Sequence, residues 1–427
     1  MNRIFLDVHA LQTVPPSNLN RDDTGAPKSA VYGGVPRARV SSQAWKRATR
    51  TYFGNEQILD PSELGVRTKK VAEVLAARIT GLDPALQGAE ALRIAAEVIQ
   101  GATGSKMEVP KRKADAAKSD AAKSNAAKSI TAKSITANSD AAKSDTAADG
   151  TDEPAPESKY LMFLSARQLD GLAALAVEGA TDIKTFLKDK ENKARAREIA
   201  DTRHSVDIAL FGRMVADSAD FNVDAAVQVA HAISVHRVDN ESDYYTAVDD
   251  ENTDAETGAG MIGTIDFNSA TLYRYAALSV HQLAKNLGEG LRENEPRTAP
   301  VQRAVEAFVR SFLESLPTGK INTFGHHTLP DAVVVKLRTT RPISYVAAFE
   351  DPVTGESGHL REAVSRLAEY VPEVERAYGD EESTLSWVLR VGPNTEKLTG
   401  LGTETERLRD LVQLVGQAVA ERLDKPA

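Results

Sequence analysis

Between Asp115 and Ser144 a five-residue unit repeats: Asp115-Ala-Ala-Lys118-Ser119, followed by units that end at Ser124, Ser129, Ser134, Ser139 and Ser144. No other feature limits the fold so strongly. A period of five falls well short of the roughly twenty residues from which solenoid repeats are built. The unit is rich in Ala and Lys, which permits transient helix, but it offers only Ile130 and Ile135 for burial and no aromatic residue. Residues 111–150 are therefore expected to form a solvated, largely disordered insertion. Two roles fit it, a nonspecific RNA tether or padding in a tolerant loop. The packed core must come from the two flanks.

Those flanks have the means. The chain has 427 residues, of which 41% are hydrophobic, enough for a sizeable core without covalent staples. With no cysteine there are no disulfides, thiolate metal sites or thiol nucleophiles. Asp7 follows Ile4-Phe5-Leu6 at once, so no secretory apolar stretch is expected at the start. No window approaches the ~18 apolar residues of a membrane helix. A cytoplasmic protein without membrane contact is expected.

Ile4, Leu6 and Val8 alternate as in a half-buried strand. Val71, Val74, Leu75 and Ile79 recur at helical spacing, as do Leu92, Ala95, Val98 and Ile99. Further helix is predicted over 160–177, 206–215, 225–235 and 404–423, and strands over 263–268 and 331–337. Strands at both ends with helices between them predict an α+β core interrupted by a helical subdomain.

The formal charge of −9 is not the balance of a nucleic-acid binder. Its distribution matters more. From Thr24 to Asn55 there is no Asp or Glu, while Lys28, Arg37, Arg39, Lys46, Arg47 and Arg50 all fall there. Ser41 or Ser42 can cap a helix over this stretch by accepting from its first free amides. That helix would bury Trp45, Ala48, Thr49 and Tyr52 and show Gln43, Lys46, Arg47 and Arg50 on the opposite face. The basic stripe, the helix N-terminus and the Gly33-Gly34 pair, where backbone can come close to a ligand, suit a string of phosphates. A solvated basic helix face accounts for the same residues. No Walker motif or GxGxxG is present to cradle a single nucleotide.

Leu19-Asn20-Arg21-Asp22-Asp23, Lys28, Gly33-Gly34, Arg39-Val40-Ser41-Ser42-Gln43 and Lys46-Arg47-Ala48 resemble the N-terminal signature of CasC, the backbone subunit of the type I-E CRISPR surveillance complex Cascade. Asp207 through Arg213-Met214, Ala230-His231-Ala232-Ile233-Ser234 with His236, Tyr245 through Asp249-Asp250, and Tyr273-Arg274-Tyr275-Ala276 are similar to the same family. The resemblance implies a palm of RNA-recognition-motif (ferredoxin-like) type with inserted helical fingers and a β-hairpin thumb. It divides the chain into palm (1–58), fingers (59–236, holding the insertion), thumb (237–266) and a second palm part with a C-terminal helix (267–427). It implies a non-catalytic subunit without a cofactor, copies of which stack into a hexamer-like helical backbone along CRISPR RNA. Target DNA would be met through the guide, and the other Cascade subunits would be partners.

By the same resemblance Lys28, Gln43, Lys46 and Arg50 are expected at guide phosphates, and Met214 and Tyr245 as wedges flanking a displaced nucleotide. Arg39, Ser42, Arg47 and Arg213, within the matching blocks, and Lys320, a basic position before a strand, complete the expected RNA-binding set. There are departures. The insertion has no counterpart in the family pattern. Some relatives carry close-set lysines after the segment matching Ala347-Ala-Phe349-Glu350, whereas residues 351–358 here contain no Lys or Arg. Either that contact is lost or Lys336 or Arg338 supplies it.

Acidic residues crowd the expected thumb: Asp239, Glu241, Asp243, Asp249, Asp250, Glu251, Asp254 and Glu256. They fit a solvated loop, or a tip that meets the basic patch of the next copy. Residues 243–248 and 261–267 can pair as its arms. Asp22-Asp23 and Asp249-Asp250-Glu251 would be the metal ligands of the alternative, a metal-dependent ribonuclease of the related type III kind. No third ligand stands at defined spacing. His231 and His236 lie roughly 140° apart on a helix, a poor metal pair, and His231 among Val229, Ala230 and Ile233 is expected in the core. His326-His327, in an expected loop, could touch RNA or metal. No GxSxG or HExxH motif occurs.

Overall fold

Strand β1 (Phe5–Ser17) lies in the middle of a ten-stranded sheet, and its surroundings revise how its sequence reads. Leu6, Val8 and Ala10 are buried as the alternation predicts, but so are Asp7, His9 and Gln12 between them. Both faces of the sheet are covered, so the strand is buried on both sides from Leu6 to Gln12, while Thr13, Pro15 and Pro16 towards its end are exposed. The computed structural model describes residues 3–110, 155–215, 219–247, 261–288, 295–296, 298–355, 358–379 and 383–424. The repeat insertion at 111–150 and the acidic residues Asp249, Asp250, Glu251, Asp254 and Glu256 lie outside the described residues.

The remaining strands fall in chain order as β2 (Ser29–Tyr32), β3 (Val35–Val40), β4 (Gly65–Thr68), β5 (Met107–Glu108), β6 (Glu157–Ser158) and β7 (Met162–Ser165). They continue as β8 (Val227–Val229), β9 (Ala232–Ser234), β10 (Glu241–Ala247), β11 (Met261–Ser279), β12 (Ala332–Arg338), β13 (Leu385–Arg390) and β14 (Thr403–Thr405). The large sheet runs β14-β13-β12-β1-β11-β9-β3-β2, with β8 and β10 also paired to β11. β1 is antiparallel to both β11 and β12, with Leu6 opposite Leu278 and Leu337.

On one face α1 (Ser42–Asn55) and the helices Val280–Leu287, Ala299–Glu314 and Leu408–Asp424 pack Phe53, Leu283, Phe308, Phe312 and Val415 against Leu6, Val8, Val335 and Leu337. Each such side chain contributes about 1.5–3 kcal/mol by leaving water. The other face is covered by helix Leu360–Tyr378 and by the segment at 343–353, which set Tyr345, Phe349, Val364 and Val371 on Leu11, Tyr273, Val334 and Val388. Between the first strands of the large sheet and β8 lies a separate helical core. There α2 (Val71–Leu82), α3 (Gly88–Thr103) and the helices Ala166–Glu178 and Lys190–Asp201 bury Leu75, Ile79, Val98, Leu172 and Ala196. The insertion leaves and re-enters at one place, because β5 and β6 on either side of it pair, Met107 opposite Ser158.

An α+β architecture with a helical subdomain is what the sequence predicts, and several elements differ in detail. Residues 225–235, expected to be helical, form β8 and β9, because apolar residues three and four apart also arise when two short strands turn a corner at Ala230-His231. Both strands pair with β11, and β9 pairs with β3 as well. The helix expected from 160 begins only at Ala166, after β7, where Ser165 and Gln168 form a reciprocal capping box. The helix from Val206 stops at Phe211, since Gly212 adopts φ +78°. The strand predicted at 263–268 is one end of the 19-residue β11.

Candidate nucleic-acid interface

α1 begins as the sequence predicts. Ser41 is extended and its hydroxyl accepts from the Ala44 N–H, while its own N–H donates to Asn20 Oδ1 at 2.9 Å. Asn20 thereby ties the loop bearing Arg21 to the start of the helix. Trp45, Thr49 and Phe53 are buried; Ala48 and Tyr52 are half-buried, and the Tyr52 hydroxyl donates to Glu314 Oε2 at 3.1 Å. Phe53, not foreseen, replaces Tyr52 as the deepest residue of that face. On the opposite side Gln43 and Arg47 are exposed, and Ser42, which donates to Gln43 Oε1 at 3.3 Å, and Lys46 are half-buried. Burial lowers the Lys46 pKa from its ordinary value, and Lys46 and Arg47 have no ion pair among the described residues. Arg50 differs from its neighbours. Its guanidinium lies 3.7 Å from Asp207 Oδ2 and over the Phe163 ring.

The residue just ahead of β2 and strand β3 carry the next two cations. The Lys28 N–H donates to the Asn20 carbonyl and the Arg39 N–H to the Lys28 carbonyl, each at 2.9 Å, so both residues are fixed beside the start of α1. Arg39 Nε donates to the Ser29 carbonyl at 3.1 Å, and Nη1 lies 3.1 Å from His231 Nδ1. Gly33 and Gly34, at φ +59° and +78°, make the tight turn between the strands. A Cβ on Gly33 would lie 1.7 Å from the Glu350 carbonyl oxygen. The close approach expected there is thus to the protein's own backbone. Arg37 is likewise internal: its guanidinium donates to the carbonyls of Tyr32, Ser234, Phe349 and Glu350.

Other expected contacts are scattered or redirected. Lys320 is exposed, in a left-handed conformation at φ 52°, next to Gly319, which packs against the Asn18 and Leu19 carbonyls. This brings Lys320 to the loop that leads to Asn20 and Lys28. Met214 is 82% exposed and Tyr245 47%. Tyr245 sits on β10 opposite Gly263 of β11, and a Cβ there would strike its ring. Arg213, by contrast, is no surface cation. It is buried and donates to the carbonyls of Phe221 at 2.7 Å and Ala200 at 3.2 Å and to Asp201 Oδ1 at 3.1 Å, tying the helix Lys190–Asp201 to the segment at Phe221. Asp207 from the same sequence block is also an internal anchor, accepting from the Ser205 hydroxyl and the Gly65 and Ile208 amides.

Lys336 and Arg338 do not replace the lysines missing after Glu350. Arg338 is enclosed, donating to Asp7 Oδ2 at 2.7 Å, to both Glu375 oxygens and to the Tyr345 hydroxyl at 2.6 Å, with Lys336 Nζ 4.0 Å from Glu375. This network lies on the sheet face that carries His9, Tyr273 and Tyr275. In an open RNA-binding sheet, rings in such positions stack on bases. Here Tyr345 stacks on His9 with ring centroids 4.3 Å apart, and the cover over this face leaves no room for a base. A nucleic-acid ligand would therefore have to be met at the edge of the sheet and at α1.

The histidines and acids also find their places. His231, expected in the core, is exposed at the corner between β8 and β9. No pattern of apolar neighbours reveals a residue at such a corner. His236 accepts from the Thr271 N–H through Nε2, and Nδ1 lies 2.8 Å from the Arg237 carbonyl. His326 is buried against the Pro317 carbonyl, while His327 is exposed. Asp22 accepts from the Thr24 N–H and hydroxyl and the Ala26 N–H, which lowers its pKa and shapes the loop. Among the described residues no three His, Asp or Glu side chains converge as a metal site, and no helix is long and apolar enough to cross a membrane.

Comparison with known proteins bears on this arrangement. The family of CT1975-like proteins matches residues 6–414. A solved structure titled "CRISPR RNA-guided surveillance complex, pre-nicking" is 30% identical over 97% of this chain and 100% of its own, with a TM-score of 0.76. A second, "CRISPR RNA-guided surveillance complex", is 28% identical over 97% and 99%, with a TM-score of 0.66. No curated protein sequence matches the chain.

Proposed function

Since the chain belongs to the CT1975-like protein family, we propose that it is the guide-RNA-binding backbone subunit of a type I-E CRISPR surveillance complex. One observation carries the RNA-binding reading. Lys28, Arg39, Lys46, Arg47 and Lys320 gather at the edge of the sheet and along α1 with no carboxylate paired to them among the described residues. Ammonium and guanidinium groups left without acids neutralise phosphates and release counterions, a contact indifferent to base sequence. Gln43 and Ser42 add neutral hydrogen bonds beside the free amides of α1. Met214 and Tyr245, exposed and apolar, suit the faces of unpaired bases. Sequence would then be read by guide pairing with target DNA.

The sheet that positions these groups is a palm of ferredoxin-like kind, with the helical core as fingers and β10–β11 as the arms of a thumb. Copies polymerise along the spacer, each thumb interrupting guide pairing at regular intervals. The subunit holds RNA without cutting it. Light scattering of the full chain with and without guide-length RNA tests this. Growth of the particle with RNA length is expected, and a persistent monomer overturns the backbone role. Regular fragments on adding complementary RNA and Mg²⁺ would instead establish the ribonuclease.

A further inference from the structure

We propose that His231 is a further RNA contact, a neutral imidazole that joins Arg39 and Lys28 in clamping one phosphodiester of the guide. The proposal rests on the RNA-binding reading above and names a member of its site. Its starting point is the 3.1 Å contact between Arg39 Nη1 and His231 Nδ1. A guanidinium has five N–H donors and no acceptor. The imidazole Nδ1 must therefore accept, which places the ring proton on Nε2 and leaves the ring neutral. His231 is exposed, and Nε2 has no hydrogen-bond partner among the described residues. A donor thus faces outward beside two cations.

The surroundings hold the ring in that state. Burial first, then the charges of Arg39 on β3 and Lys28 ahead of β2, lower the His231 pKa. Those two are the charged groups that act on it among the described residues. Arg39 is itself oriented by the Ser29 carbonyl, so it can hold His231 with one nitrogen and offer others to a ligand. A phosphodiester seated between Arg39 and Lys28 cancels the charges that suppress imidazole protonation and offers an oxygen to Nε2–H. Bound RNA accordingly raises the pKa of the ring: as pH falls towards the ordinary histidine value, Arg39 Nη1 turns from Nδ1 to the phosphate, Nδ1 takes up a proton, and binding is coupled to that uptake. By thermodynamic linkage, affinity then rises as pH falls.

The test is anisotropy of a labelled guide-length RNA titrated with the full chain at pH 7.5 and 6.0, at fixed ionic strength. The wild type, His231→Ala, His231→Gln and Lys46→Ala are compared, with melting curves of each. His231→Ala is expected to bind roughly fivefold more weakly at pH 7.5, the scale of one net hydrogen bond, with unchanged melting. His231→Gln is expected to bind nearly as the wild type at pH 7.5, since a carboxamide can accept from Arg39 and donate to phosphate. It should lose the wild-type gain in affinity at pH 6.0. Wild-type affinity in His231→Ala, or an intact pH gain in His231→Gln, overturns the proposal while Lys46→Ala still weakens binding. Failure of the wild type to bind RNA overturns the RNA-binding reading and this proposal with it.

Discussion

Arg338 and Lys46 are cations of one chain placed in opposite settings. Arg338 lies beneath the cover of the sheet, its nitrogens donating to Asp7, Glu375 and the Tyr345 hydroxyl. Lys46 lies half-buried on α1, outside the sheet, with no acid beside it. The difference does not lie in residue type or in local charge density. It lies in what the fold brings opposite each group. A cation enclosed among carboxylate, amide or carbonyl oxygens has its field consumed internally, whereas one left at an acid-free edge projects its field outward. By this measure Arg37, Arg213 and Arg274 belong with Arg338, and Lys28, Arg47 and Lys320 belong with Lys46. Arg274 is the extreme case: enclosed between Trp45 and Phe312, it donates to Gln12 Oε1 at 2.6 Å, and burial pulls its pKa down to about 9.

The largest effect that separates the two settings is on stability. Arg338→Ala leaves Asp7 buried without its counter-charge and Glu375 with only the more distant Lys336, which costs about 3–5 kcal/mol. The melting temperature of the full chain at pH 7 should fall sharply, and RNA binding should be lost only in proportion to unfolding. If Arg338→Ala melted like the wild type yet bound RNA more weakly, Arg338 would have to be moved to the outward group.

Part of this division was legible in the sequence. The absence of acids over 24–55 marks the edge, and Ser41 with the Trp45, Thr49 spacing marks the start and inner face of α1. The pairing of 261–267 with the strand before it also follows from the pattern. What could not be read is which cations are consumed. Arg213 finds Asp201 and the Ala200 carbonyl, Arg50 finds Asp207, and Arg338 finds Asp7 some 331 positions away. Helical or strand periodicity carries no information about contacts so distant in the chain. The helix expected over 225–235 failed for a related reason, since pairing with β11 overrode the local spacing.

A smaller effect concerns the enclosed histidines. Burial pulls the pKa of His236 to about 4, opposed by the Arg237 carbonyl and reinforced by His359 and Arg37, and burial and then Arg213 do the same for His204. A folded-state pKa below the unfolded value near 6.5 means that the unfolded chain binds more protons between those limits. Stability is therefore fully present above pH 6.5 and is lost as pH falls towards 4. Melting temperatures at pH 7, 6 and 5 should decline, and His236→Asn should decline less steeply than the wild type. An equal slope would mean that His236 is open to solvent, in the manner of His231.

The smallest effect on the fold is expected at the edge, where it is also the most specific. Lys46 has no acid to leave unpaired, and its half-buried ammonium loses hydration in the free chain, so Lys46→Met should melt at or slightly above the wild-type temperature. The cost falls on RNA instead. Removal of one phosphate contact should weaken binding alike for guides of different sequence and reduce the slope of log affinity against log salt by about 1. Fluorescence titrations at several salt concentrations measure both quantities. A loss confined to some guide sequences would mean that Lys46 reads bases, and an unchanged slope would place its charge with the internally consumed group, whatever its exposure.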